Sequence, residues 1–82
     1  MTLTIETKTD VLHAAAEKHL GLKILSRESE VIALFDAAKQ GSEAKITSSF
    51  DATGAATIYV EGDNPADVFE CVKRFQTLLL GN

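Results

Sequence analysis

The strongest restriction on the fold of this chain comes from the segment Ile46 to Pro65, ITSSFDATGAATIYVEGDNP. Polar and apolar residues alternate on both sides of DATG, in which aspartate and glycine favour a tight turn. A period of two places successive side chains on opposite faces of a strand. The segment therefore predicts a β-hairpin with strands at 45–50 and 56–61.

One face of this hairpin is expected to lie on the core and the other to face solvent. Ile58 and Val60 share the apolar face, whereas Thr57 and Tyr59 lie on the polar face. Because exposed groups on a rigid scaffold often hold function, Thr57 and Tyr59 are candidate protein-binding residues. A strand at the edge of the sheet could also pair with a partner protein or with a second copy of this chain.

The last segment, GDNPADVFECVKRFQTLLLGN, predicts an amphipathic helix. Asn64 is a favoured cap, and Pro65 suits the first helical position, where its missing N–H is not needed. Apolar residues then recur every three or four positions up to Gly81, namely Val68, Cys71, Val72, Phe75, Leu78 and Leu79. This spacing predicts a helix of about four turns.

Phe69 and Leu80 stand beside this stripe, so the apolar band of the helix is wide. A wide band indicates either deep burial or a surface that binds a partner. In the second interpretation Phe69 is the centre of a protein-binding face, with Lys73 and Arg74 as its polar rim. The partner is then another protein, or a second copy of this chain in a homodimer.

The residues before the hairpin predict one strand followed by two helices. TLTIET, at positions 2–7, alternates polar and apolar residues as a strand does. Two patterns of helical spacing follow between residues 10 and 40, and their order indicates an antiparallel helical hairpin. The chain is thus expected to be a single α+β domain, residues 1–82, of order β-α-α-β-β-α. Helices cover one face of a small antiparallel sheet in this arrangement.

The ends of these two helices are marked by residues that favour caps and stops. Thr9 or Asp10 can accept hydrogen bonds from the first N–H groups of the first helix, and Ser26 or Ser29 can do so for the second. Glycine, which adopts the left-handed conformation easily, ends both helices, at positions 21 and 41.

Composition limits the possible functions. The chain has 82 residues, a formal charge of −4 and a single cysteine, Cys71, which can form no internal disulfide. A secreted domain of this size usually carries several disulfides, and no segment has the apolar length of a signal peptide or a membrane helix. We therefore expect a soluble cytoplasmic protein with no membrane partner. Net acidity disfavours nucleic acid as a partner.

No residues have the spacing of a catalytic, cofactor or metal site. His13 and Glu17 share a helical face, but two ligands do not make a site, and this face is expected to be solvated. Cys71 lies on an apolar stripe, away from the electropositive setting that activates a thiol. Four carboxylates near the hairpin ends are expected to form turns and caps: Asp51, Glu61, Asp63 and Asp67. We expect a protein that is not an enzyme and that uses no cofactor and no metal.

A further signal overlaps the second helix. LSRESEVIALFDAAKQGSEAKI, Leu25 to Ile46, resembles the opening of the LuxR-type helix-turn-helix, Leu-Thr-x-Arg-Glu-x-Glu-Val-Leu with a later Gly-x-Ser. The corresponding residues are Leu25, Ser26, Arg27, Glu28, Glu30, Val31, Ile32, Gly41 and Ser42, with one residue missing after Ser26. The resemblance covers about a quarter of the chain and implies DNA binding through a basic recognition helix. That helix should follow next, where this chain instead has TSSF.

Two functions therefore lead. The first is a small regulatory module, an inhibitor or adaptor, that acts by binding another protein. The second is a DNA-binding transcriptional regulator in which residues 10–40 form the helix-turn-helix and the β-hairpin acts as a wing. An enzyme that uses His13, His19, Asp63 or Cys71 is a third possibility, for which the sequence supplies no convergent set.

Overall fold

In the described part of the chain, a three-stranded antiparallel sheet forms one layer of the protein, and helices pack on one of its faces. The computed structural model describes residues 1–21 and 27–80. Its elements are β1 Thr2–Lys8, α1 Thr9–Leu20, α2 Arg27–Lys39, β2 Lys45–Phe50, β3 Ala55–Glu61 and α3 Pro65–Leu80. This order confirms the predicted α+β fold, β-α-α-β-β-α, with its long C-terminal helix. Within those residues, no helix is both long enough and apolar enough to cross a lipid bilayer.

The central strand is β3, because the strand order is β1-β3-β2 and both pairings are antiparallel. Tyr59, near the middle of β3, faces Thr4 of β1 on one side and Thr47 of β2 on the other. These three side chains share one face of the sheet because directly opposed residues project to the same side. The two edges of the sheet are therefore formed by β1 and β2.

Hydrogen bonds at the strand ends fix which residues of β3 bond to which neighbour. On the β1 side, Gly62 N donates to Met1 O at 3.0 Å. On the β2 side, Asp51 N donates to Ala55 O at 3.1 Å. Hydrogen-bonded pairs recur at every second residue of an antiparallel ladder. The even-numbered residues of β3 therefore bond to β1 and the odd-numbered ones to β2.

The hydrophobic core lies between the sheet and the helices. Ile58 and Val60 are fully buried on the helix side of β3, whereas Tyr59 is exposed on the outer face. The largest fully buried side chains are Phe75, Leu12, Leu34, Ile58, Val60, Val68 and Cys71. The ring of Phe75 also packs against that of Phe35, with 5.7 Å between their centroids. The predicted division into a buried and an exposed face is confirmed for β3, whereas on the helix side of β2 Ile46 and Ser48 are only partly buried and Phe50 is exposed.

Sequence signals at the helix ends are confirmed at Asn64 and at two glycines. At the start of α3, Asn64 Oδ1 accepts a hydrogen bond from Ala66 N at 3.0 Å. After α1 and α2, Gly21 (φ 63°) and Gly41 (φ 78°) adopt the left-handed conformation. The Asn64 side chain therefore caps the start of α3, and the two glycines end α1 and α2 because glycine adopts a positive φ without steric strain.

The cap predicted for α1 at Thr9 or Asp10 is wrong. Lys8 is the residue that precedes the helix, and no side chain caps it. Thr9 N instead donates to Gly54 O at 2.9 Å, which extends the pairing of β1 with the β3 side of the hairpin. The chain therefore passes directly from the β1 ladder into α1, and Thr9 is already helical.

The start of α2 and the surroundings of His13 differ from what the sequence predicts. Ser29 lies within α2 and so does not cap it, and Ser26 lies outside the described residues. His13, expected on a solvated face with Glu17, is buried, whereas Glu17 is exposed. His13 is buried because α2 and β2 lie beside α1 on the side that carries His13. The lining of one cavity shows this arrangement, since it includes His13, Val31 of α2 and Ser48 of β2. The helical period alone did not reveal this second contact of α1.

The β2–β3 turn is held by one carboxylate. Asp51 Oδ1 accepts hydrogen bonds from Thr53 Oγ1 at 2.6 Å, Thr53 N at 2.9 Å and Ala55 N at 3.0 Å. These bonds, the one from the Thr53 hydroxyl above all, lower the pKa of Asp51 below its usual value of 3.8. Charged Asp51 is thus favoured in the folded protein relative to the unfolded chain.

We expect Asp51 to contribute stability that depends on pH. Because its folded-state pKa is lowered, this contribution is fully present above the unfolded pKa and is lost as pH falls through the folded pKa. Between these two values, the unfolding free energy of the natural chain should fall more steeply with decreasing pH than that of Asp51→Asn, which cannot ionise. Urea unfolding of both proteins from about pH 5 down to pH 2 measures this difference. Parallel curves would contradict the prediction.

Candidate interaction surface at the β2 edge

The outer edge of β2 offers main-chain groups for pairing. Because the odd-numbered residues of β2 bond to β3, the even-numbered residues Ile46, Ser48 and Phe50 direct their N–H and C=O groups away from the sheet. Among the described residues, no further strand pairs with this edge. Their side chains project to the helix side, since they are opposite buried residues of β3. The outward main-chain groups and the side chains of these three residues therefore lie on the same surface.

The other edge of the sheet, on β1, is different. There the outward main-chain groups belong to Thr2, Thr4, Glu6 and Lys8, whose side chains lie on the exposed outer face. Charged residues such as Glu6 and Lys8 discourage another strand from adding to an edge. The β2 edge carries one charged residue, Lys45, at its first position. It is therefore the less protected of the two edges.

An apolar pocket of about 510 Å³ opens beside the β2 edge. Its walls come from three elements, with Thr9 and His13 on α1, Val31, Ile32 and Phe35 on α2, and Ser48 and Phe50 on β2. Two of these side chains are large, apolar and exposed, Ile32 at 53% and Phe50 at 48%. A concave apolar site with a few polar groups is the usual form of a binding pocket.

The edge and the pocket are arranged for an extended chain. A strand added to β2 would place the residue opposite Ser48 on the helix side, since directly opposed residues share a face. That side is the one on which the pocket lies, because Ser48 and Phe50 line it. Main-chain pairing with alternate side chains in pockets is a common mode of peptide recognition. The set of Ile46, Ser48, Phe50 and Ile32 is called the β2-edge surface below.

The protein-binding residues that the sequence predicts lie outside the β2-edge surface. Phe69 is 53% exposed on α3, and Lys73 is exposed on the same helix. Arg74 is also exposed, but its Nη1 donates to Gln40 O at 2.6 Å and so holds the end of α2 against α3. All three residues are therefore exposed on α3, and Arg74 also stabilises the contact between α2 and α3.

The two candidate residues on β3 belong to a different surface from that of α3. Thr57 and Tyr59 lie on the outer face of the sheet, opposite the helix layer that contains Phe69. The structure does not bring the five predicted residues together. The sequence does not predict Phe50 and Ile32 as binding residues. A signal for Phe50 is nevertheless present, because it lies four residues after Ile46 and so projects from the same face of the strand.

A second cavity, of about 370 Å³, lies at the acidic end of the molecule. Its lining includes Glu43, Glu61, Asp63 and Asp67, together with Lys45 and the first two residues. Asp67 Oδ2 accepts a hydrogen bond from Glu43 N at 3.5 Å. Within residues 1–21 and 27–80, no group of three or more metal-binding side chains is placed to hold an ion. Glu61 is the last residue of β3 and Asp67 lies in the first turn of α3, and among the described residues no neighbouring group points to a ligand.

Cys71 has the environment of a structural thiol. Its side chain is fully buried in the core, and burial raises the pKa of the thiol above its usual value, although Arg74 and Lys39 act in the opposite direction. A neutral thiol with no access to solvent is a poor nucleophile. The arrangement around Cys71 therefore supports packing rather than chemistry.

Comparison with known proteins gives no family. No family model matches the chain, and neither a curated protein nor a solved structure matches it. The resemblance to the LuxR-type helix-turn-helix stops after Ser42, because β2 stands where the recognition helix should follow. Leu25 and Ser26, with which that resemblance begins, lie outside the described residues.

Proposed function

We propose that this chain is a small protein-interaction module, acting as an inhibitor or adaptor, that binds an extended protein segment at the β2-edge surface. The observation that carries the proposal is the position of the apolar pocket directly beside outward main-chain groups of Ser48 and Phe50. The segment would add to β2 as a fourth strand. One of its apolar side chains would enter the pocket against Phe35 and Ile32.

The energetics favour this mode over a single contact. Each main-chain hydrogen bond contributes about 0.5–1.5 kcal/mol net, so pairing with a few residues of β2 gives modest affinity. Phe50 and Ile32 are already about half buried, so covering the rest of either side chain adds roughly half of the ~1.5–3 kcal/mol that complete burial of such a residue gives. The pocket therefore supplies the affinity and sequence preference that main-chain pairing alone lacks. A cytoplasmic location fits the proposal, since the chain has one cysteine and that thiol is buried.

A selection from phage-displayed random peptides tests the site. We expect Ser48→Pro to weaken binding of the selected peptides at least tenfold, because proline removes an outward N–H without touching the bonds to β3. The matched control is Thr4→Pro, which removes an outward N–H from the β1 edge and should leave binding unchanged. Calorimetry on each purified variant gives the affinities, and the circular dichroism spectrum verifies that each variant is folded.

Two side-chain variants separate the candidate surfaces. Ile32→Lys alters an exposed side chain of the pocket, so it should weaken peptide binding by a similar factor while the fold persists. Phe69→Asp alters the α3 face and should leave binding unchanged. If Phe69→Asp abolishes binding and Ser48→Pro does not, the interaction lies on α3 and the β2-edge proposal is wrong. Failure to select, at a concentration where the chain is monomeric, any peptide whose binding depends on Ser48 or Ile32 would also contradict the β2-edge proposal.

A further inference from the structure

We infer that the segment bound at the β2-edge surface is β2 of a second copy of this chain, so that two molecules form a continuous six-stranded sheet. This inference rests on the strand pairing at the β2-edge surface that the proposed function includes, and it names a second copy of this chain as the partner there. A strand that pairs with itself about a two-fold axis must be antiparallel and must be complementary to its own reverse. The sequence of β2 with its flanking residues, KITSSFD, meets this condition in one register.

That register places Ser48 opposite the partner's Ser48. Ile46 then faces the partner's Phe50 on the helix side, so two apolar side chains meet at the mouth of the pocket. On the outer face, Lys45 faces the partner's Asp51 at each end of the ladder. In this register apolar residues lie opposite apolar residues and polar residues opposite polar ones. The charged residues of the ladder, Lys45 and Asp51, lie opposite each other with opposite sign.

Neighbouring registers are less complementary. Only the even-numbered residues of β2 direct their main-chain groups outward, so each must pair with an even-numbered residue of the partner strand. The partner strand can therefore shift only by two residues at a time, which moves the centre of the pair by one residue. Centring the pair on Thr47 places Glu43 opposite the partner's Asp51, which brings like charges together. Centring it on Ser49 places Ile46 opposite the partner's Ala52, beyond the strand, and leaves Lys45 without a carboxylate. Charge and apolar matching therefore favour the register centred on Ser48.

Burial supports the same arrangement. Phe50 is 48% exposed although it lies on the core side of the sheet, because no other strand of residues 1–21 and 27–80 covers the far side of β2. In the paired sheet, the partner's Ile46 lies across from it and Ile32 gains apolar surroundings. Pairing also removes the less protected edge, which satisfies the outward groups of β2.

Disulfide trapping tests both the dimer and its register. In the proposed register Thr47 is opposite the partner's Ser49 in a non-hydrogen-bonded pair, with Cα atoms about 4.5 Å apart, within the range of a disulfide. We expect an equimolar mixture of Thr47→Cys and Ser49→Cys to give a cross-linked dimer on mild oxidation, whereas each variant alone gives at least tenfold less. Both side chains lie on the exposed outer face, so neither change disturbs the core. The natural chain is the control, since its Cys71 is fully buried.

The outcomes separate the inference from the proposed function. Dimer from Thr47→Cys alone would show pairing centred on Thr47, dimer from Ser49→Cys alone would show pairing centred on Ser49, and either would overturn the inferred register. Light scattering of the natural chain, which has a mass of 8.8 kDa, should show twice that mass at high concentration. Ser48→Pro should return it to the monomer mass, and Thr4→Pro should not. A natural chain that stays monomeric yet binds selected peptides at β2 would overturn the second-copy inference and leave the proposed function standing.

Discussion

Replacing Phe75 with alanine is expected to lower the free energy of unfolding by about 3–5 kcal/mol. Phe75 is fully buried on α3, and its ring packs against that of Phe35. Alanine would leave a cavity between the sheet and two helices, where the surrounding side chains can relax only in part. Small domains have total stabilities of about 5–15 kcal/mol, so this one change removes a large share of the stability. Urea or guanidinium denaturation followed by circular dichroism measures the loss.

Phe69 provides the matched control for this experiment. It is the same residue type on the same helix, but it is 53% exposed and lies outside the core. Phe69→Ala should therefore change the unfolding free energy by about 0.5 kcal/mol or less. Equal losses for the two variants would mean that Phe69 is buried in solution, either by a different packing of α3 or by a partner molecule on its face.

Enlarging Ala16 to leucine is expected to cost about 1–3 kcal/mol. Ala16 is fully buried in α1, in the cluster that also holds Ala15 and Ala38. These small side chains allow α1 and α2 to pack closely, and a leucine there would force the helices apart or place side chains in unfavourable rotamers. For a domain of this size, each 1 kcal/mol lowers the melting temperature by roughly 4–8 °C. Thermal denaturation is therefore a sensitive measurement of the effect.

Ala14→Leu is the control, since Ala14 lies in the same helix but is exposed. Leucine and alanine have similar helix propensities, so helix formation itself changes little in either variant. We expect the melting temperature of Ala14→Leu to remain within a few degrees of that of the natural chain. If Ala16→Leu is tolerated equally well, the helices are not packed as closely as the burial of Ala16 indicates.

Much of this fold was accessible from local patterns in the sequence. Asn64 and Pro65 fixed the start of α3, and the turn at Asp51 joined two runs of alternating polarity. In these places, the chemistry of single residues and the spacing of their neighbours determine the same structure. Such agreement between local signals makes an element predictable without knowledge of its tertiary contacts.

The candidate surface could not be predicted in the same way, because it depends on which strand is central. Alternation predicts the faces of β2 but contains no information about its neighbours, so the unpaired edge and the exposure of Phe50 follow only from the strand order. The burial of His13 likewise depends on where α2 and β2 lie relative to α1. The sequence favours Phe69 as a binding residue because an apolar residue outside the main stripe of a helix can be identified from the sequence alone. An unpaired sheet edge can be identified only once the strand order is known.

The position of β3 between two antiparallel neighbours restricts how the length of this chain can change during evolution. One extra residue within Ala55–Glu61 would move the following side chains to the opposite face and break the pairing with both β1 and β2. Insertions at the turn 52–54 or in the connection 40–44 would leave both ladders in register. Distant relatives of this protein should therefore keep the spacing of Ala56, Ile58 and Val60 even where little other sequence remains. A triplet with this spacing, followed by a helix-starting Asn-Pro, is the pattern by which we expect such relatives to be recognised.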